Sequence, residues 1–212
     1  MTIALPRLDR TTAAERGLTI ADFLVPIGIG ERIDTRVRHI ALIVAGSLFI
    51  LLTAQIYIAR SPVPLTGQTF GVLVAAGALG ARRGFASVGL YIALGLVGLP
   101  FFAEGKGGLG VLVGPSGGYL VGFLVAGIIV GRLAELGWDR HLGGAIAMML
   151  GGSIVIYAIG LPWLKAVTGM SLDDTIKNGL TPFILWDAAK LAVAAAMFPA
   201  AWWLIGRRPD DR

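Results

Sequence analysis

Residues 40–59 read IALIVAGSLFILLTAQIYIA, twenty consecutive positions between His39 and Arg60 without a charged side chain. A helix needs about 20 mostly apolar residues to cross a hydrocarbon core of about 30 Å, so this stretch decides the class of fold. The spacing recurs along the chain. There are 21 uncharged residues between Arg60 and Arg82, 20 between Arg83 and Glu104, 25 between Lys106 and Arg132, and 23 between His141 and Lys165. A last run of 29, from Asn178 to Gly206, is interrupted only by Asp187 and Lys190. The reading is an all-α integral membrane protein with six transmembrane helices in one bundle.

Composition agrees. Hydrophobic residues make up 56% of the 212 and charged residues 15%, against roughly 45–50% and 25% in soluble domains. The mean hydropathy is +0.79. With no cysteine, the chain has no disulfides, thiolate metal sites or cysteine nucleophile, and two histidines leave little scope for metal chemistry. The net charge of +5 raises nucleic acid as a partner, but the placement of the basic residues answers it. With the amino terminus inside, 13 arginines fall on the cytoplasmic side, whereas only Arg60, Lys106, Lys165 and Lys177 fall outside. This is the positive-inside pattern; it puts both termini in the cytoplasm and leaves the nucleic-acid reading without support.

The second stretch opens with Ser61-Pro62-Val63-Pro64-Leu65-Thr66-Gly67-Gln68, whose prolines disfavour a helix. Its helical part is expected over Thr69 to Ala81, too short to cross upright. Such a segment is tolerated at membrane depth only where protein covers the irregular backbone or a cavity adjoins it. Residues 1–38 form a cytoplasmic tail with no signal-peptide pattern, residues 39–206 the membrane domain, and residues 207–212 a second short tail. Glycines at four-residue spacing, such as Gly118 and Gly122 or Gly127 and Gly131, suit close helix packing. Ala41 and Ala45 make a similar small-residue groove on the first span, open to a partner helix.

Asp187 and Lys190 are the sharpest local signal. Each charge near the centre of a span costs about 2.5–3.5 kcal/mol on insertion scales, and two that lie three residues apart share a helical face. With the helix starting near Pro182 on the outer side, they sit about 7.5 and 12 Å along its axis, in the outer half. Two readings stay open: a self-neutralising ion pair, or a polar patch in a cavity open to the outside. Trp186 is an interfacial anchor or a pocket wall. The glycine-rich loop running from Leu99 through Glu104 and Lys106 to Tyr119 is either a lid or a flexible connector. It lacks the pattern of a phosphate loop. Gly114-Pro115-Ser116-Gly117 matches the serine motif of rhomboid proteases, but Ser116 and His141 fall at opposite ends of their spans, on the order of 30 Å apart. Asp173 and Asp174 alone do not make a metal site.

Several motifs together resemble the BioY family, the biotin-binding S components of energy-coupling factor (ECF) transporters. They are Ser61 through Phe70, Gly80-Ala81-Arg82-Arg83-Gly84, Gly98-Leu99-Pro100, Gly114 through Tyr119, and Asp187-Ala188-Ala189-Lys190, in order between Ala41 and about Ile205. The resemblance implies a non-enzymatic protein of the prokaryotic cytoplasmic membrane that needs no cofactor and takes biotin from the outer side. Its implied partners are a transmembrane coupling protein (the T component) and two ABC-type ATPases. It also implies ligand contacts from Asp187 and Lys190, with Glu104 and Lys106 as the lid-loop candidates, and a coupling-protein contact at Ala41 and Ala45. A mostly apolar pocket with a few convergent polar groups suits biotin, and Tyr119, Trp186, Phe101 and Phe102 are candidate walls; Tyr157 is another, though a buried packing role is favoured for it. The alternatives are an S component for a different vitamin, a self-contained carrier using Asp187 as a proton relay, and a purely structural subunit.

Overall fold

The computed structural model describes residues 17–24 and 34–205. The rest of the amino-terminal tail and the whole carboxy-terminal tail lie outside these residues, as do Arg7, Arg10, Arg16, Arg32, Arg207, Arg208 and Arg212 of the basic count. A one-turn helix α1 (Ile20–Leu24) precedes α2 (Thr35–Ala54), whose first turn is capped where the Asp34 carboxylate accepts the Arg36 N–H at 3.0 Å. Next comes a short antiparallel hairpin, β1 (Tyr57–Ile58) and β2 (Leu65–Thr66), pairing Tyr57 with Thr66 and Ile58 with Leu65. The sequence showed only a proline-rich loop here. Pro62 and Pro64 lie between the strands, where no ladder bond is required of them.

Helix α3 (Gln68–Leu79) is the short element expected, about 18 Å long and one residue earlier at its start than Thr69. It stops because Gly80 adopts φ +83, a conformation open to glycine and strained for other residues, and α4 (Ala81–Leu96) returns directly from it. The first N–H of α4 is held by the Glu135 carboxylate at 2.9 Å. Helices α5 (Leu109–Val113), α6 (Gly117–Glu135), α7 (Leu142–Thr168), α8 (Leu172–Gly179) and α9 (Thr181–Ile205) complete the chain. Four segments of the described chain are long and apolar enough to cross a membrane: α2, α6, α7 and the run from Leu172 to Ile205.

Gly118, Gly122 and Gly131 sit where a side chain would collide with a neighbouring helix, whereas Gly127 has room for one. A side chain at Gly122 would stand 2.9 Å from the Ile156 Cα, so α6 and α7 pack backbone to backbone. Around this contact Val72, Ala76, Val88, Ala126, Val130 and Met148 are fully enclosed. The outer faces carry large exposed apolar residues such as Leu52, Ile154 and Leu185, a surface suited to lipid.

The bundle has two unlike ends. At one, Asp22 in α1 bonds Arg83 at 2.7 Å and Arg38 at 3.4 Å, Arg140 donates to the Leu18 carbonyl at 3.1 Å, and Trp202 donates to Asp139 at 2.6 Å. Residues 17–24 are therefore an ordered strap lying across α2, α4, α9 and the α6–α7 turn. At the other end sit the hairpin, the loop from Val97 to Ser116, and α8.

Candidate functional site

A cavity of about 610 Å³ opens at the hairpin end. The elements around it place polar groups on one wall and aromatic rings on the other. On α9, Asp187 and Lys190 pair at 2.5 Å with side chains only 11% and 13% exposed. The Lys190 ammonium also donates to the Thr66 carbonyl at 2.8 Å and to the Thr69 hydroxyl at 2.6 Å, so each of its three protons has an acceptor. Thr69 in turn donates to Asp187 at 3.3 Å, and the Tyr157 hydroxyl of α7 donates to the other carboxylate oxygen. The two prolines place Thr66 and Thr69 here by delaying the start of α3 to Gln68, which leaves the Thr66 carbonyl free of the helix and turned toward α9.

The network extends sideways. Gln68 accepts from the Thr66 hydroxyl at 3.0 Å and donates through its amide to the buried Tyr91 hydroxyl at 2.5 Å. Tyr91 packs edge-on against Phe102, with ring centroids 5.7 Å apart. Opposite, Tyr119 and Tyr157 meet edge-to-face at 6.1 Å and Tyr157 meets Phe183 at 6.4 Å, forming a continuous aromatic wall. The Tyr119 hydroxyl donates to the Gly179 carbonyl at 2.9 Å, tying α8 to this wall.

The loop over the cavity is structured. Phe102, 2% exposed, fills a space that exists because residue 95 is glycine, and its carbonyl accepts from Gln55 at 3.2 Å. Glu104 is the one non-glycine residue with positive φ, +61, among the described residues, and it pairs with Lys106. Both line the cavity.

Of the residues singled out from sequence, Lys190, Glu104, Lys106 and Tyr119 line the cavity. Asp187 sits just behind, bonded to Lys190 and Tyr157. Trp186 is outside the lining, with its ring 6.0 Å from the Lys190 ammonium. Ala41 and Ala45 lie on an exposed face of α2 beside Val44 and Leu48. Ser116 lines the cavity, while His141 begins α7 at the other end of the bundle. Asp173 pairs with Lys177, and Asp174 is held by the Ser171 cap of α8. Sequence reasoning did not select Thr66, Gln68 and Thr69 as site residues, and it favoured a packing role for Tyr157. The available signal was an unusually polar first turn on an otherwise apolar helix.

The family model for the BioY family matches residues 28–207. The chain belongs to the BioY family. Among its BioY relatives, the biotin transporter BioY of Thermotoga maritima is 40% identical over 156 residues, covering 73% of this chain and 90% of the relative. The biotin transporter BioY of Rhizobium etli is 35% identical over 143 residues, covering 64% and 76%. A crystal structure of the S-component for biotin from an ECF-type ABC transporter superimposes with a TM-score of 0.70 at 29% identity, covering 79% of this chain and 92% of that one. The strap at residues 17–24 precedes the family match.

Proposed function

We propose that this chain captures biotin from the outer side of the prokaryotic cytoplasmic membrane and delivers it inward as the S component of an ECF transporter. The observation that carries this reading is the Asp187–Lys190 pair, saturated with hydrogen bonds and set against a cavity of the size that small ligands use, in a member of the BioY family. Six spans cross the bilayer, with the short α3 completed by the hairpin, and both termini are cytoplasmic. Supporting this orientation, the strap and the arginine-rich turns share the end opposite the cavity mouth.

Biotin's ureido ring matches the polar wall. Its carbonyl takes over one Lys190 proton from the Thr66 carbonyl or the Thr69 hydroxyl and an N–H donates to Asp187, while Tyr157 holds the carboxylate oriented for that donor. The apolar bicycle and chain lie against Tyr119, Tyr157 and Phe183. Glu104 and Lys106 neutralise one another on the lid loop and border the ligand. The protein is a binding and transport component, not an enzyme, and it carries no cofactor. Its partners are a transmembrane coupling protein, seated along Ala41 and Ala45 of α2, and two ABC-type ATPases that drive reorientation.

The test is uptake of labelled biotin by vesicles holding this chain with the coupling protein and ATPases. ATP-dependent accumulation that ceases in the Asp187→Asn variant is expected. Uptake driven by a proton gradient alone would instead make the chain a self-contained carrier.

A further inference from the structure

Three cations line the cavity, and two of them are matched by protein groups. Lys190 has three acceptors and Lys106 has Glu104. Arg60 is the third. It follows β1 at the cavity mouth, is exposed, and among the described residues makes neither a hydrogen bond nor an ion pair. Its guanidinium is a planar fork that matches a carboxylate with two parallel hydrogen bonds, a geometry Lys106 cannot offer.

The charge layout gives the cavity two poles. The deep pole, around Asp187 and Lys190, is internally neutral and provides donors and acceptors, so it suits an uncharged polar group. A carboxylate pushed there would meet Asp187 at close range and pay for displacing it from Lys190. The mouth pole carries an unmatched positive charge beside water, where an anion keeps part of its hydration. A ligand with a neutral polar head, an apolar middle and a terminal carboxylate therefore enters head first.

From this we infer that Arg60 binds the ligand's carboxylate at the cavity mouth and sets the preference for an anionic over a neutral ligand. This rests on the biotin reading above. It assigns a role to the residue that immediately precedes the Ser61 to Phe70 motif, in the hairpin connection.

The test compares two ligands on the purified full chain in detergent: biotin, and its neutral alcohol analogue with a hydroxymethyl group in place of the carboxylate. A charge-assisted hydrogen bond is worth roughly a tenfold or greater change in affinity. The wild type is expected to bind biotin about tenfold more tightly than the alcohol. In Arg60→Gln that ratio should collapse towards one through weaker biotin binding, and in Arg60→Lys it should recover in part. The wild-type preference should also shrink with added salt, as befits a partly exposed ion pair. A biotin-to-alcohol ratio in Arg60→Gln equal to that of the wild type would overturn the inference and leave the biotin reading intact. Failure of the folded wild type to bind either ligand would overturn both.

Discussion

Tyr157 places its hydroxyl on a carboxylate oxygen of Asp187 that Lys190 and Thr69 leave free, so it positions the aspartate without adding charge. Removing that donor in Tyr157→Phe leaves one buried acceptor short, a cost of about 1–3 kcal/mol. The expected result is biotin binding weakened by about tenfold or more together with a lowered unfolding midpoint, measured by titration calorimetry and a melting curve. Lys190→Ala is more severe, since it strands the Asp187 charge in a setting only 11% exposed. Gly95→Ala acts from further away. A methyl group there collides with the Phe102 ring, and overpacking of this kind costs about 1–3 kcal/mol, so the lid loop should be dislodged and the ligand should dissociate faster. Asp187 and Lys190 were legible because a charge inside an apolar run demands a reason. Thr69, Gln68 and Tyr157 were not, because uncharged polar side chains in a span have many structural uses and only the fold shows which atoms converge.

Among the elements, the strap was the least legible. Hydrophobic runs identify spans by length, and a five-residue helix leaves no such signature. Its order comes from tertiary contacts: Thr19, Ile20 and Ala21 are buried, and Phe23 packs edge-on against Trp202 at 5.4 Å. Burial pushes the Asp22 carboxyl up, but the Thr19 N–H and the Arg83 guanidinium outweigh this and hold it below the ordinary aspartate value. A depressed native value means stability that is present at neutral pH and lost as pH falls through the native pKa, below about 4. Asp139, in the neighbouring turn, behaves oppositely. Burial raises it to about 6 despite the bond from Trp202 and the charge of Arg140. Between about pH 4 and 6 the native state therefore holds a proton that the unfolded chain does not, and stability rises as pH falls. Lowering the pH from 7.5 to 5 should raise the unfolding midpoint in detergent, by a stability gain on the order of 1 kcal/mol, and Asp139→Asn should flatten that rise. Asp22→Ala should lower the midpoint at pH 7.5, since it leaves Arg38 and Arg83 facing each other across α2 and α4.

On the scale of the whole molecule, the arrangement separates two jobs. The arginine-rich end, tied by the strap, holds helices together, while the hairpin end holds the cavity and its structured loop. Four of the six expected spans correspond to segments long and apolar enough to cross a membrane among the described residues, and the shortness of α3 was readable from Pro62 and Pro64. The hairpin was not, since its strands have two residues each and pair only because α2 and α3 bring them together. Nor was the continuity from Lys190 through Thr66, Gln68 and Tyr91 to Phe102, which links the polar wall to the loop above it. That chain of contacts joins the proposed ligand contact at Lys190 to the loop above the cavity. The most direct measurement is equilibrium binding of biotin to the purified full chain in detergent, with Asp187→Asn and Lys190→Ala variants verified as folded. The account predicts saturable binding by the wild type and its loss in both variants; wild-type binding retained in both folded variants would contradict the site.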